Sequence, residues 1–452
     1  MHRKLYNVIL SSVVVAATVV NAQAQYINTV VGNGVAAYTG DGGTANMASF
    51  NGVEGMAVDG AGNIYLADKN NNVVRKISNS GVVSTFAGTG VAGYSGNGGA
   101  ATAAKLNAPS AVATDGAGNV YIAERGNHVI RVVNTAGNIK VYAGSAIEGY
   151  SGDGDTAHLG RISTPTALHM DGMGNLFIAE GGSHVIRRVD NGTRIMHTVA
   201  GTGSFGNTGD GGMATNATFN TPSGVVTDAS GNIFIADAQN NRVRKVDAVT
   251  GMVSTVIGTG TPGNTGDGGP ATAATVSAPV SVALDMMGNL YVVSRGFHTV
   301  RMVNSAGTIS HVAGTGAPGY SGDGGLAVAA SLRGPRFVFV DGWSRTYIGD
   351  QGNNVIRQLS ATASVGNASS VANGFRLYPI PAGNTVNADL TAMIGSVEVR
   401  IVNAAGTTVL VDRVSGGQVL PVSIAGMAPG IYTVSVAHAG KLYIQKLIKT
   451  AE

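Results

Sequence analysis

The sequence predicts an all-β protein: a six-bladed β-propeller with four-stranded blades, followed by a small C-terminal β-sandwich. Three observations support this prediction. A unit of 56 or 57 residues recurs six times along the chain, and long repeats built from several short strands are typical of propellers. Glycine makes up 68 of the 452 residues, which indicates many tight turns. Beyond about residue 375 the repeat stops and a different strand pattern begins.

The six repeats align on a leading aspartate, with an aromatic residue six positions later and an arginine sixteen positions later. In the second repeat, turn residues and alternating apolar residues predict strands at 110–114, 120–123, 129–133 and 139–143. We interpret the aspartates and arginines as fasteners between blades. The aspartates are Asp59, Asp115, Asp171, Asp228, Asp285 and Asp341, and the arginines are Arg75, Arg131, Arg187, Arg244, Arg301 and Arg357.

The two ends of the repeat region predict a closed ring. The sixth repeat has a third strand at 355–359 but lacks a fourth, whereas residues 27–32 resemble the fourth strand of the first repeat at 83–88. We therefore expect residues 26–32 to pair with residues 355–359 and remove the open sheet edges. An open solenoid is the alternative architecture, although it would need atypical capping repeats.

The third strand of the second repeat begins Asn127-His128-Val129, and the first repeat reads GNIYLAD followed by NNVVRKI. These residues resemble the NHL-repeat family over about residues 26–360. The resemblance implies a six-bladed propeller. It does not choose a function, because relatives of this fold include peptide-processing enzymes, sugar-lactonase-like hydrolases and many binding domains.

The N-terminal residues predict a secretory signal peptide. A short basic region precedes 14 apolar residues at 7–20, and Ala22-Gln23-Ala24 has the small-residue pattern of a cleavage site. We expect cleavage between Ala24 and Gln25. An uncleaved membrane anchor is the alternative, but the apolar stretch is short for a bilayer. No later segment is long and apolar enough to span, so we expect no transmembrane segment in the mature chain.

The C-terminal region predicts a separate export domain. Residues 361–374 are small and polar and are interpreted as a linker, and residues 375–452 contain short alternating strands. The motifs YPIPA at 378–382, GMAPGIYTVSV at 426–436 and GKLYIQKLIK at 440–449 resemble the type A sorting domain of type IX secretion, with Ile380 as the one departure. The resemblance implies the type IX machinery as a partner and a secreted or outer-surface location. The predicted domains are 1–24, 25–360, 361–374 and 375–452.

Composition excludes several function classes. The chain has no cysteine, which excludes disulfides, thiolate zinc sites and cysteine nucleophiles. The formal net charge is only +3, and lysines and arginines are scattered over the repeats. A nucleic-acid-binding protein clusters its basic residues, so we do not expect nucleic acid as a partner.

Glycine-rich loops between the repeats carry candidate ligand-binding carboxylates. These are Asp41, Asp153, Asp155, Asp210, Asp267 and Asp323, and a second set at the ends of the second strands is Asp68, Glu124, Glu180, Asp237 and Asp350. Carboxylates in glycine-rich loops suit Ca²⁺, which takes oxygen ligands. In the alternative, which repetition in every blade favours, each aspartate caps its own turn. His128, His184 and His298 share a repeat position with asparagines and are interpreted as structural.

Positions where the repeats disagree are candidates for a site specific to this protein. They are Ser294, Arg295 and Phe297 in blade five, Asp155, His158 and Arg161 in the third loop, and Arg333, Arg336 and Trp343 in blade six. No catalytic residue is assigned, because no complete set of nucleophile, base and orienting group is recognisable.

The predicted function is a non-catalytic binding scaffold for an extracellular protein or glycan. The alternative is a metal-dependent propeller enzyme, a lactonase-type hydrolase or a lyase. That alternative requires three or more carboxylate or histidine side chains from different blades to converge on the channel.

Overall fold

The computed structural model describes residues 25–360 and, further on, residues 376–378, 385–390, 393, 395–403, 407–428, 430–438 and 441–449. The chain divides into two units, Met1–Ala363 and Ser364–Glu452. The predicted signal peptide, including Ala24, and the predicted linker lie outside the described residues. Among the described residues, no helix is both long enough and apolar enough to cross a membrane.

Six four-stranded antiparallel sheets form the first unit, which confirms the predicted propeller fold. Blades one to three are β2 (Val53–Val58), β3 (Ile64–Asp68), β4 (Val73–Ile77) and β5 (Val83–Ala87); β6 (Pro109–Thr114), β7 (Val120–Glu124), β8 (Val129–Val133) and β9 (Ile139–Ala143); and β10 (Pro165–Met170), β11 (Leu176–Glu180), β12 (Val185–Val189) and β13 (Met196–Ala200). In each of these three blades the first strand in the chain lies at one edge of the sheet and the strands follow in order.

Blades four and five are β14 (Pro222–Thr227), β15 (Ile233–Asp237), β16 (Arg242–Val246) and β17 (Val253–Ile257); and β18 (Pro279–Leu284), β19 (Leu290–Ser294), β20 (Thr299–Val303) and β21 (Ile309–Ala313). Blade six is β22 (Phe337–Val340), β23 (Thr346–Asp350), β24 (Val355–Ser360) and β1 (Tyr26–Val31). Single 3₁₀ turns occupy Lys69–Asn71, Ala101–Ala103, Ala214–Asn216, Ala238–Asn240, Ala271–Ala273, Arg295–Phe297, Ala327–Ala329 and Gln351–Asn353.

The N-terminal strand completes blade six, as the sequence predicts. β1 pairs antiparallel with β24, with Ile27 opposite Leu359 and Tyr26 opposite Ser360. At the centre, the first strands of neighbouring blades contact one another around the ring, and β22 contacts β2. Each blade buries apolar side chains against its neighbour, as in the cluster that joins Ile122 of blade two to Val74 of blade one. The chain therefore closes on itself between its first and last described strands in the propeller.

A hydrogen bond across each blade junction sets the path of the chain. The residue after each second-to-third-strand turn is asparagine or histidine in the left-handed conformation, with φ between 52° and 56°. Its side-chain oxygen or Nδ1 accepts the N–H of a residue that precedes the next blade's first strand. The pairs are Asn72–Ala108, His128–Thr164, His184–Thr221, Asn241–Ala278, His298–Gly334 and Asn354–Gly52, at 3.0 to 3.2 Å. The three histidines are therefore structural.

The second unit is a small two-sheet β-domain. One sheet has the order β25-β26-β29 and the other β28-β27-β30-β31. Val386 and Val422 from the first sheet pack in one core with Val397, Val399 and Val434 from the second. The strands are β25 (Arg376–Tyr378), β26 (Thr385–Asp389), β27 (Ser396–Asn403), β28 (Thr408–Ser415), β29 (Val419–Ser423), β30 (Gly430–His438) and β31 (Lys441–Lys449).

Ring closure predicts a large effect for a single change in β1. Ile27 is completely buried in the cluster that joins blade six to blade five. We expect Ile27→Ala to lower the free energy of unfolding by about 2–5 kcal/mol, because the change leaves a cavity. The exposed Ser84 on β5 provides the control, and Ser84→Ala should change stability by less than about 0.5 kcal/mol. Chemical denaturation measures both, and equal stability of the two variants would contradict closure through β1.

Candidate functional site

A channel runs along the centre of the propeller. A cavity of about 360 Å³ is lined by the first strands of all six blades, mainly by aliphatic side chains. A second cavity of about 390 Å³ is lined mainly by the second-to-third-strand turns of blades one, two, five and six and by the segment before β2, and Glu54 and Arg336 line both cavities. The second cavity is therefore one mouth of the channel. In antiparallel blades this mouth lies at the end that carries the second-to-third-strand turns.

Five of the six predicted loop carboxylates are bound to arginines. Arg187 lies 2.7 Å from Asp153, and Arg244 lies 2.8 Å from Asp210. Asp41, Asp267 and Asp323 pair in the same way with Arg75, Arg301 and Arg357. Each carboxylate therefore lies within its own repeat, beside the arginine of the third strand. The structure does not bring these aspartates together.

Asp155, the sixth predicted carboxylate, is exposed, and its backbone N–H and C=O pair with Gly152 and Met196. Its neighbours in the third loop, His158 and Arg161, are also exposed. They do not line the mouth of the channel. The departures in the third loop therefore contribute nothing to the mouth.

The second set of carboxylates is buried inside the blades. Asp68, Glu124, Glu180, Asp237 and Asp350 are all fully buried. Each accepts a backbone N–H from the segment before its own blade, as Glu180 does from Ser163 at 3.0 Å. Burial raises the pKa of Glu124 and Glu180 to about 7 and that of the three aspartates to about 6, and the neighbouring arginines reduce this shift.

A raised carboxyl pKa often marks a functional site, but these groups are enclosed by backbone and by their arginines. Across the described ranges of the chain, no three His, Cys, Asp or Glu side chains are grouped so as to hold a metal ion.

The leading aspartates do not fasten one blade to the next, contrary to what we expected from the sequence. Asp115, for example, accepts hydrogen bonds from the backbone of Ala117 and Asn119 and from the Tyr121 hydroxyl, so it caps its own turn.

Two blades lack one acid each, but not the same one. In blade two, Asn97 replaces the loop aspartate, and Arg131 lies 3.4 Å from Glu124. In blade five, Ser294 replaces the buried acid, and Arg301 lies 2.7 Å from Asp267. Every third-strand arginine therefore keeps at least one carboxylate, as a buried charge requires.

The residues that differ from the repeat and also lie together at the mouth occupy two repeat positions. The residue five positions before the leading aspartate is Ser110, Thr166, Ser223 or Val280 in four blades, but Glu54 in blade one and Arg336, just before β22, in blade six. The first residue after the second strand is Gly181 in blade three and Ala238 in blade four. In the other blades it is Lys69, Arg125, Arg295 and Gln351. Glu54, Lys69, Arg125, Arg295, Arg336 and Gln351 all line the mouth.

Glu54 is the centre of this cluster. Its carboxylate lies 2.7 Å from the Lys69 ammonium and 3.4 Å from the Arg336 guanidinium. Gln351 donates to the same carboxylate at 3.3 Å and accepts from Arg295 at 3.3 Å. Burial opposes ionisation of Glu54, but the charges of Arg336 and Lys69 outweigh it and keep the pKa of Glu54 below its usual value.

Two of the predicted departures, Arg295 and Arg336, therefore belong to the mouth. Trp343 lies on the turn between β22 and β23, at the opposite end of the blade, near Gly62. Glu54, Lys69 and Arg125 are residues that the sequence reasoning missed. The aligned repeats contain the signal, because each of these residues is charged where at least one other blade has a small or neutral residue.

Apart from Glu54 and Arg336 at the mouth, His169 is the only titratable side chain among the described residues that line the channel. Its Nε2 lies 2.9 Å from the Thr227 hydroxyl. Burial lowers the pKa of His169 to about 4, so this imidazole is neutral at physiological pH. The channel wall is therefore uncharged beyond Glu54 and Arg336.

Family models match both units of the chain. Residues 376–450 match the secretion system C-terminal sorting domain, and residues 202–263 match the teneurin NHL domain. The chain is an NHL-type propeller followed by a type IX sorting domain. The sorting model spans the motifs from which the sequence predicted this domain, and Ile380 falls within it.

Curated relatives of the NHL propeller are larger proteins. The propeller is 29% identical over 269 residues to the protein SUPPRESSOR OF QUENCHING 1, chloroplastic, of Arabidopsis thaliana. The aligned region covers 57% of this chain and 25% of the relative. Over 290 residues it is 27% identical to NHL repeat-containing protein 2 of Homo sapiens, which covers 57% of this chain and 39% of the relative. The chain thus spans well under half the length of these relatives.

A solved structure has the same fold. It is described as an auxiliary nutrient binding protein from Bacteroides ovatus. It aligns with a TM-score of 0.54 at 16% identity, over 75% of this chain and 77% of the other. At this identity the likeness concerns the fold alone.

The arginine–carboxylate pairs predict opposite effects for two substitutions in the NHL propeller. Asn97→Asp should raise the free energy of unfolding by about 0.5–1 kcal/mol, because it supplies Arg131 with the loop carboxylate that other blades have. Asp210→Asn should lower it by about 1–2 kcal/mol, because Arg244 loses charge-assisted hydrogen bonds. Asp155→Asn is the control and should stay within about 0.5 kcal/mol. Denaturant titration at neutral pH measures all three. A loss of stability in Asn97→Asp would show that the loop carboxylates have another role.

Proposed function

We propose that this protein is an exported cell-surface binding protein whose propeller holds a ligand at the charged channel mouth without chemical conversion. The observation that carries the proposal is the convergence of Glu54, Lys69, Arg125, Arg295 and Arg336 at one cavity. These residues come from blades one, two, five and six and depart from the repeat. Loops on a rigid scaffold commonly carry binding.

The state of the repeated polar groups supports binding rather than catalysis. The carboxylates that could serve as acids, bases or metal ligands are paired with arginines or enclosed within blades, as at Asp153 and Glu180. The metal-dependent hydrolase or lyase requires convergent carboxylates or histidines, and the described part of the chain supplies no such group. Five of the six loop carboxylates that the sequence offers as ligand-binding candidates stabilise the glycine-rich loops instead, by pairing with the third-strand arginines.

The sorting domain supports a surface location. Its match to the secretion sorting family indicates passage through the type IX machinery, and the predicted signal peptide would supply the first step of export. A surface protein meets extracellular glycans and proteins, which remain our proposed ligand classes. A binding role is also what is described for the Bacteroides ovatus protein with the same fold.

Removal of the second unit tests the export step. A chain that lacks residues 376–452 should be absent from the surface and medium of a host with type IX secretion and should accumulate in the periplasm. The propeller should remain folded, because its core and ring closure lie within residues 25–360. Immunoblots of cell fractions and thermal unfolding measure these outcomes, with the full-length chain as control. Surface levels equal to those of the full-length chain would disprove the assignment of export to this domain.

An array of immobilised extracellular glycans and proteins tests the binding step. We expect the purified exported protein to bind at least one ligand. Arg125→Gly combined with Arg295→Ala, which copies the residues of blades three and four, should weaken that binding at least tenfold. Arg161→Ala, an exposed arginine outside the mouth, is the matched control and should bind as the parent does. If the ligand binds both variants equally, the mouth is not the binding site.

A further inference from the structure

We propose that the channel mouth selects a small ligand that carries two or more oxyanion groups, such as carboxylate, phosphate or sulfate. This inference rests on the proposed binding function and specifies the ligand class of that same mouth. It starts from the charges of the cavity. Lys69, Arg125, Arg295 and Arg336 bring four positive charges to the lining, whereas Glu54 brings the one negative charge.

The single carboxylate is already shared. Glu54 lies within ion-pair distance of Lys69 and Arg336, and its remaining contact is with Gln351. Arg295 bonds to the neutral Gln351 amide. Among the described residues, no carboxylate lies within 4 Å of the guanidinium of Arg125 or Arg295. Two cationic groups at the mouth are thus left without a protein counter-charge.

Arg336 supplies a second, independent observation. Its side chain is only 9% exposed and has one ion-pair partner, Glu54, at 3.4 Å. A guanidinium has five N–H donors, and Arg336 lines both the mouth and the channel behind it. Burial lowers the pKa of Arg336, and the charges of Arg295 and Arg125 lower it further, although Glu54 opposes this. A bound anion would relieve this repulsion.

The arrangement of the cations indicates the shape of the ligand. Guanidinium groups bind planar oxyanions in a bidentate manner, and here they come from blades two, five and six. The same repeat position is Gly181 in blade three and Ala238 in blade four, so the cations occupy one side of the ring. The cavity of about 390 Å³ suits a small molecule. The ligand would therefore place its anionic groups over blades five, six, one and two.

Amide side chains complete the recognition of a polar ligand. Asn51, Asn70 and Gln351 line the mouth together with the cations. They can donate hydrogen bonds to oxygen atoms that the guanidinium groups leave free. The uncharged channel behind the mouth offers no counter-charge, so an anion should remain at the mouth.

Isothermal titration of the full exported chain with citrate and with pyrophosphate, which each carry more than one oxyanion group, tests the proposal. We expect one-to-one binding of at least one of these probes, weakening as salt is raised. Arg125→Gly with Arg295→Ala should reduce the affinity at least tenfold, and Arg161→Ala should leave it unchanged. Glu54→Gln should increase the affinity severalfold, because it removes the carboxylate that competes with the ligand. The two probes distinguish a polycarboxylate ligand from a phosphate-type ligand.

Thermal unfolding without ligand shows whether each variant is folded. If Glu54→Gln fails to fold, the comparison of the arginine double variant with Arg161→Ala still tests the proposal. If neither probe binds, or if binding is the same in the double variant and the parent, the oxyanion proposal is wrong. A neutral array ligand that still depends on Arg125 and Arg295 would overturn this inference while the proposed binding function stands. If neither the array ligand nor the titrated probes bind less tightly to the Arg125 and Arg295 double variant, both the proposed binding site and the oxyanion proposal are wrong.

Discussion

A buried arginine in the third strand of every blade is the interaction on which the rest of the propeller depends. Its side chain is at most 1% exposed in all six blades. In blade one, Arg75 donates to the backbone oxygens of Ser49 and Thr39, at 3.3 and 3.1 Å, in the segment that precedes the blade. A buried charge is tolerated only when it is paired and hydrogen-bonded. The connecting segment must therefore follow the path that supplies these acceptors.

That path explains the glycine content of the connecting segments. Gly40 has a φ of +95°, and a Cβ atom there would lie 2.6 Å from the Cα of Ala48. The same close approach recurs at Gly209 beside Ala217. A side chain at these positions would push the loop away from the arginine and its carboxylate. The glycine-rich loop, the loop aspartate and the arginine are thus parts of one structural unit, which is why they recur together.

Because the repeated polar groups hold the fold, the proposed binding site lies at positions where the blades differ. The mouth illustrates this division. Serine or threonine five residues before the leading aspartate bonds to the next blade, as Ser110 does to the Pro165 oxygen at 2.7 Å. Where the ring closes, Arg336 and Glu54 occupy this position and form an ion pair instead. The junction between the first and last repeats therefore fastens the ring and also supplies two of the charged groups of the mouth, Glu54 and Arg336.

The sequence by itself determined the blades, their strands and the closure by β1, because these depend on local alternation, turn residues and a repeat visible along the chain. It also located the sorting domain through contiguous motifs. It left the loop aspartates open between ligand binding and loop structure, since their partner arginines lie 34 residues away. Only the tertiary structure brought Glu54 to Arg336 across 282 residues, because closure of the ring juxtaposes the first and last blades. Ring closure thus places these two charges side by side at the channel mouth.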